Sequence, residues 1–337
     1  MMVNRKALAL NYTVTAAWSP NDKFGLGASF QWIDVSELQY SLVLDGNPLG
    51  GGAAHPVSSG LDMLATTEGA DHFTPNAVLG AWVRLSTQFE LGVAAQVVPA
   101  KIVTQSTLQV VPLGTGFTTD LTLTRNNRPA DDVRLTIPLP LTARTGIRYV
   151  KRQDQEEQLD VELDLTYETW SRVDHFRLDG HNLVATLEYT SVEVGIIDIE
   201  KQWRDTFSVH LGSDVVVAPD VLTLRGGVFF ESAVAERPYM NVDFVSGPQL
   251  GGALGASVFA GPIELAAAYS YRLQPQVSLA ENEARVYQQV PASTCEAPYT
   301  DPMNCDDHYL GQPAPAVNAG KYRAYSHIAA LDVLVRF

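Results

Sequence analysis

Three groups of side chains have the types and spacing that chemistry needs. Arg144 and Arg148 share one face of an alternating run, and Asp160, Glu162 and Asp164 share one face of the next, so a single short turn would set them opposite each other. Facing charges of this kind build either an ion-pair network that keeps inward charge compensated or an arginine site that receives the carboxylate of a ligand. Ser208, His210 and Asp214 have the residue types of a hydrolytic triad. All three lie on one run at even spacing, so they point the same way without the geometry a nucleophile and its base require. No catalytic residue is assigned, and His210 reads as structural.

The third group lies near the carboxy end. Cys295 and Cys305 fall in a stretch rich in Pro, Asp and Asn. They read either as a disulfide closing a surface loop in an oxidising compartment or as two unpaired thiols, because zinc would require more ligands nearby. His308 beside Asp306 and Asp307 offers a divalent-cation site or simply a solvated acidic loop. The sequence assigns no metal and no cofactor.

The elements that would hold these groups are strands. Leu8, Leu10, Tyr12, Val14, Ala16 and Trp18 form one apolar face, with small or polar residues between them. Phe24, Leu26, Ala28, Phe30 and Trp32 repeat the pattern after the turn-forming Ser19-Pro20-Asn21-Asp22. The two runs predict an antiparallel hairpin. Further strands are expected near 76–86, 88–104, 140–151, 156–170, 203–217, 221–232, 248–259, 261–273 and 321–337, which makes eleven with the first two. The connections alternate between short turns and long segments, the longest being 35–75, 105–139, 171–202 and 274–320.

Composition narrows the setting. The 337 residues carry 23 Lys+Arg against 38 Asp+Glu, a net charge of −15, without the clustered basic residues that nucleic acid requires. The chain is 46% hydrophobic, yet no apolar run reaches the roughly 20 residues of a membrane-spanning helix. Mean hydropathy is only −0.02. Strands of about ten residues with alternating short and long connections fit an all-β, antiparallel transmembrane β-barrel, whose turns are short on the periplasmic side and whose loops are long outside. Leu159, Val161, Leu163, Leu165 and Tyr167 would then face lipid while Asp160, Glu162, Asp164, Thr166 and Glu168 face the lumen. Trp18, Phe24, Phe89, Tyr149 and Phe259 fall near strand ends, as an interfacial girdle requires. The final run, Tyr325 to Phe337, alternates and ends on an aromatic residue. It resembles the carboxy-terminal signal by which outer-membrane barrels meet their assembly machinery.

Several stretches, in order, resemble the FadL-type transporters of long-chain fatty acids and hydrocarbons in the Gram-negative outer membrane. Leu10-Asn11-Tyr12 through Ser29 is similar to that family's first hairpin, and Asn76 to Val103 repeats the hairpin type. Ile137-Pro138-Leu139-Pro140-Leu141 precedes a strand as the family's Leu-Pro-Ala segment does. Tyr167-Glu168-Thr169-Trp170-Ser171-Arg172 and Trp203-Arg204-Asp205-Thr206-Phe207 resemble the family's strand end and the start of its next strand. The resemblance covers about residues 7 to 337. It implies a fourteen-stranded barrel plugged by an amino-terminal hatch with an Asn-Pro-Ala-like start, behind a signal peptide, none of which matches here. The expectation is therefore one barrel domain over 1–337, with 11 to 12 of the 14 strands that the resemblance implies, the hatch and first strands being absent. A strand near 116–124 would make twelve and a smaller complete barrel.

The resemblance implies passive transport of hydrophobic molecules, with fatty acids or hydrocarbons and outer-membrane lipids as partners and with no catalysis. Segment 35–75 is too apolar for an ordinary exposed loop. Leu38, Tyr40, Leu42, Leu44, Leu49, Leu61, Met63, Leu64 and Phe73 either capture the substrate or extend the strands above the membrane and pack on one another. Arg144 or Arg148 would receive a carboxylate, or both serve a lumen network. The alternatives in function are a general or structural porin, and then an outer-membrane enzyme or a soluble all-β binding protein.

Overall fold

The computed structural model describes residues 2–45, 62–113, 121–153, 156–187, 190–244, 246–286 and 316–335. Among these residues seventeen strands form one sheet. They are β1 (Met2–Asn21), β2 (Phe24–Asp45), β3 (Asp62–Arg84), β4 (Phe89–Gln96), β5 (Lys101–Pro112), β6 (Thr122–Arg125), β7 (Arg128–Pro129), β8 (Asp132–Pro138) and β9 (Thr142–Gln153). There follow β10 (Glu156–Glu168), β11 (His175–Leu187), β12 (Thr190–Glu200), β13 (Thr206–Ala218), β14 (Leu222–Glu231), β15 (Gln249–Ala260), β16 (Ile263–Leu279) and β17 (Gly320–Val335). Two short 3-10 turns lie at Trp170–Arg172 and Arg237–Tyr239. Among the described residues no helix is long and apolar enough to cross a membrane.

The sheet has two tiers. In the lower tier the order is β1-β2-β3-β4-β9-β10-β13-β14-β15-β16-β17, every neighbour antiparallel. These eleven are the strands that the alternation predicts. They form the barrel wall, and among the described residues no pairing links β1 to β17. The segment 116–124 adds no further wall strand among the described residues. Of it, 116–120 lie outside them and 122–124 belong to β6, a four-residue strand paired with β11 and β7 in the upper tier.

Outward positions of the wall are apolar and exposed, including Leu26, Leu79, Leu163, Leu211, Leu224 and Leu265. A continuous girdle of this kind is far larger than the apolar patches water tolerates on a soluble protein, so its solvent is lipid. On β13 the exposed apolar positions run from Phe207 to Val217. At about 3.3 Å per residue and a tilt near 40° that spans roughly 25 Å, the height of the apolar band of an outer-membrane barrel. Trp18, Phe24 and Phe89 are exposed toward the short turns, and the Phe89 and Tyr149 rings lie 5.2 Å apart.

The upper tier corrects the expected long loops. The segments 35–75, 105–139 and 171–202 are largely strand, because β2 runs on to Asp45 and β3 starts at Asp62. The run expected at 88–104 is broken at 97–100, where Pro99 cannot donate to a ladder. Above the break, β3 leaves β4 and pairs through Met63–Ala70 with β5, which pairs with β8, then β11, then β12. Asn126 and Asn127, both with positive φ, make the tight turn from β6 to β7.

Candidate functional site

The upper tier curls around an apolar core. Val35, Leu38, Tyr40, Leu42 and Leu44 from β2 are buried with Leu108, Leu135, Leu178, Leu183, Ile197 and Ile199 from the facing strands. Within it is a cavity of about 40 Å³. Tyr40, Leu42, Met63, Leu135, Leu178 and Ile199 are among its lining residues, and none of the described lining residues is charged. A space that small holds a water or two at most by volume, so a ligand enters only as these side chains give way.

Of the residues singled out for capture, Leu38, Tyr40, Leu42 and Leu44 sit in this core and Met63 lines its cavity. Leu64 does not line the cavity, because β3 alternates and it is Met63 and Ala65 that turn inward. Phe73 is 61% exposed and stands apart from it. Leu49 and Leu61 lie outside the described residues, as do Cys295, Cys305, Asp306, Asp307, His308, Arg336 and Phe337. The alternation Val133-Arg134-Leu135 and Ile197-Asp198-Ile199 marked the rest of the lining. These stretches fall in 105–139 and 171–202, where the runs are too short and too broken by turn residues to stand out as strands.

The floor of the core is aromatic. Trp203 meets Trp170, Phe176 and Phe244 edge to face, at centroid distances of 5.2, 5.7 and 5.4 Å. Such pairs add about 0.5–1.5 kcal/mol each beyond their buried area. Among these rings lies an ion pair, Lys201 with Asp243, whose side chains are 3% and 4% exposed. The Tyr40 hydroxyl donates to Asp243 Oδ2 at 3.4 Å. No spacing in the sequence joins Tyr40, Lys201 and Asp243.

Below the floor the lumen is charged. Arg148 Nε donates to Asp160 at 2.6 Å, while its Nη atoms donate to Glu157 at 2.8 Å and Glu90 at 3.3 Å. Arg84 donates to Glu90 at 3.0 Å, and Arg225 to Asp214 at 2.9 Å. Arg148 is thus fully committed. Arg144 has no ion pair or side-chain hydrogen bond among the described residues. It lines a chamber of about 540 Å³ together with Asp164, Glu168, Glu231, His210 and Trp170. Three carboxylates there outnumber the one guanidinium, a setting that opposes a ligand carboxylate. His210 stacks on Phe229 at 5.5 Å, and Asp214 is held by Arg225. No triad geometry exists among Ser208, His210 and Asp214.

The extramembrane tier also carries perturbed acids. Arg177 grips Asp198 through Nε and Nη2 at 2.8 and 2.9 Å, and these hydrogen bonds lower the Asp198 pKa. Arg125 similarly lowers that of Asp132.

Comparison with known proteins agrees with this architecture. A Pseudomonas aeruginosa FadL homologue superposes with a TM-score of 0.65 at 17% identity, covering 98% of this chain and 67% of its own. The Ralstonia pickettii toluene transporter TbuX gives 0.50 at 18% identity, over 79% of this chain and 63% of its own. The Pseudomonas putida toluene transporter TodX gives 0.55 at 13%, over 96% and 68%. The chain spans about two thirds of the length of these relatives, and at such identities the likeness speaks for the fold. No curated protein matches the sequence. The model of the family described as "Outer membrane protein transport protein (OMPP1/FadL/TodX)" matches residues 4–299. That description is of transport and not of catalysis, in agreement with the reading of His210. A wall of eleven lipid-facing strands and a family match over most of its length identify the chain as a member of the FadL/TodX family of outer-membrane transport proteins.

Proposed function

We propose that this chain carries hydrophobic molecules through the outer membrane, taking them from outside into the apolar core of the upper tier. One observation carries the reading: an uncharged, almost wholly apolar lining drawn mainly from six strands stands above a lumen rich in paired charge. A lipopolysaccharide surface and a water-filled pore both offer an apolar solute nothing, whereas an apolar lining removes its surface from water at about 25 cal/mol per Å². Leu38, Tyr40 and Leu42 are the capture residues on this reading. Aromatic hydrocarbons and long-chain fatty acids both supply the apolar surface required, and TbuX and TodX are described as toluene transporters.

Uptake of labelled toluene and labelled oleate into vesicles containing the protein tests the proposal. Ala185→Phe, which fills the cavity, is expected to lower both uptake and binding at least tenfold for whichever compound is carried. Uptake of neither compound, or uptake indifferent to the filled cavity, overturns it. Passage of small hydrophilic solutes in planar bilayers in place of hydrophobic ones would instead identify a porin.

A further inference from the structure

Tyr40 is a wall of the cavity and also a partner of the buried ion pair below it. The Lys201 ammonium lies 4.4 Å from the centroid of the Phe176 ring, 5.6 Å from Phe244, 5.8 Å from Trp203 and 5.9 Å from Tyr40. An ammonium among four rings is held by their negative faces as well as by Asp243. The Lys201 ammonium therefore lies one ring away from the cavity, and it is already paired with Asp243.

The hydroxyls of the lining are spent too. Tyr40 donates to Asp243, and Thr67 donates to the Tyr40 carbonyl at 3.2 Å. A carboxylate brought into this space would find apolar side chains, hydroxyls donating elsewhere, and an ammonium it could claim only by displacing Asp243. Displacement leaves one buried negative charge in excess, which is the costly arrangement in a medium of low dielectric. An uncharged hydrocarbon incurs no such penalty.

We propose that Asp243 sets the charge class of the ligand: by holding the Lys201 ammonium, it makes the cavity a site for uncharged hydrocarbons that refuses carboxylates. The proposal rests on the reading that the cavity is where the hydrophobic molecule is taken up, and it deepens that reading. It also gives the pair a role distinct from stability, since replacing a buried ion pair by apolar groups is often neutral for stability. Asp243→Asn would then remove this carboxylate from Lys201 beside Tyr40 and invite the ligand's carboxylate in.

Toluene and benzoate have nearly the same shape and differ in charge, so the ratio of their affinities isolates the effect. Both are titrated calorimetrically at pH 8 against the full chain in lipid nanodiscs, with Ala185→Phe as the filled-cavity control. The wild-type protein is expected to bind toluene at least tenfold more tightly than benzoate. Asp243→Asn is expected to shift the ratio at least tenfold toward benzoate, and Lys201→Met/Asp243→Asn, which removes both charges, to restore the preference for toluene. Equal wild-type affinities, or a ratio unmoved by Asp243→Asn while Ala185→Phe still abolishes toluene binding, overturn the proposal and leave the cavity reading standing. Toluene binding that survives Ala185→Phe places the ligand elsewhere, and both readings then fall. The wild-type ratio decides by itself if Asp243→Asn does not fold.

Discussion

Arg148 on β9 and Asp160 on β10 meet inside the wall, Arg148 Nε donating to Asp160 Oδ2 at 2.6 Å on the diagonal of a ladder that sets Arg148 opposite Glu162. The same guanidinium also holds Glu157 and Glu90, so one cation ties together three carboxylates from two neighbouring strands. Arg144, two repeats of the pleat away on the same strand, ties none among the described residues.

These neighbouring arginines should therefore differ in cost. Arg148→Met leaves three carboxylates facing one another. Losing a partner in a fully buried pair costs about 3–5 kcal/mol, and water in the lumen should reduce that to roughly 1–3 kcal/mol. Arg144→Met should change stability by less than about 0.5 kcal/mol. Urea unfolding in detergent, followed by tryptophan fluorescence, measures both. Equal losses would mean that Arg144 is engaged as deeply as Arg148.

Leu135 is 2% exposed at the centre of the upper core. Leu135→Ala should destabilise that tier by about 2–5 kcal/mol through lost burial and the space left behind. The wall draws its stability from its own ladder and from lipid, so hydrogen exchange should accelerate in β5, β8 and β11 while β13 to β16 stay protected. Uniform acceleration would show that the two tiers unfold as one.

Asn318 is 1% exposed and ties three segments. Its Nδ2 donates to the Pro238 and Met240 carbonyls, both at 2.8 Å, and its Oδ1 accepts from the Val286 amide at 3.0 Å. Asn318→Ala leaves three backbone groups without that partner, the Met240 carbonyl buried and the other two partly so, at about 1–3 kcal/mol for each that stays dry. Limited proteolysis should then cut at 233–247 and 280–286 at least several times faster than in the wild type. An unchanged cleavage pattern would show that the strands alone hold these segments.

Acid should loosen the upper tier before the wall. Asp198 is held below its usual pKa by its hydrogen bonds to Arg177. A depressed carboxylate contributes stability that is complete above its unfolded value, near 3.9, and is lost as pH falls through the folded value. Both side chains are partly solvated, so the pair is worth about 0.2–1 kcal/mol. Amide exchange in β11 and β12 should rise, relative to the wall, only below about pH 4. Asp198→Asn should show the faster exchange already at pH 7 and lose the pH dependence.

How much of this was legible in the chain follows from the period of the strand. Leu8 to Trp18, or Leu159 to Tyr167, alternate strictly because one side meets lipid and the other a charged lumen, and that contrast survives in any window of the sequence. All eleven wall strands, their antiparallel order and their inward charges follow from it. The upper strands alternate as well, in Val133-Arg134-Leu135 and His175-Phe176-Arg177-Leu178, but in shorter runs between turn residues. Their partners come from far along the chain, and so they look like loops. Apolar type alone does not tell Met63 from Leu64 or Phe73; the alternation of β3 turns Met63 and Ala65 inward and leaves Leu64 and Phe73 out of the cavity lining.

Sequence by itself thus determined a barrel wall with apolar and charged faces, because local alternation is enough to sort side chains between two solvents. Tertiary structure alone decided which apolar residues enclose the cavity, that Arg148 is committed while Arg144 is not, and that Lys201 meets Asp243 beneath Tyr40. Those outcomes depend on contacts between residues up to 203 positions apart. Long-range register brings them together, and no periodicity along the chain records it.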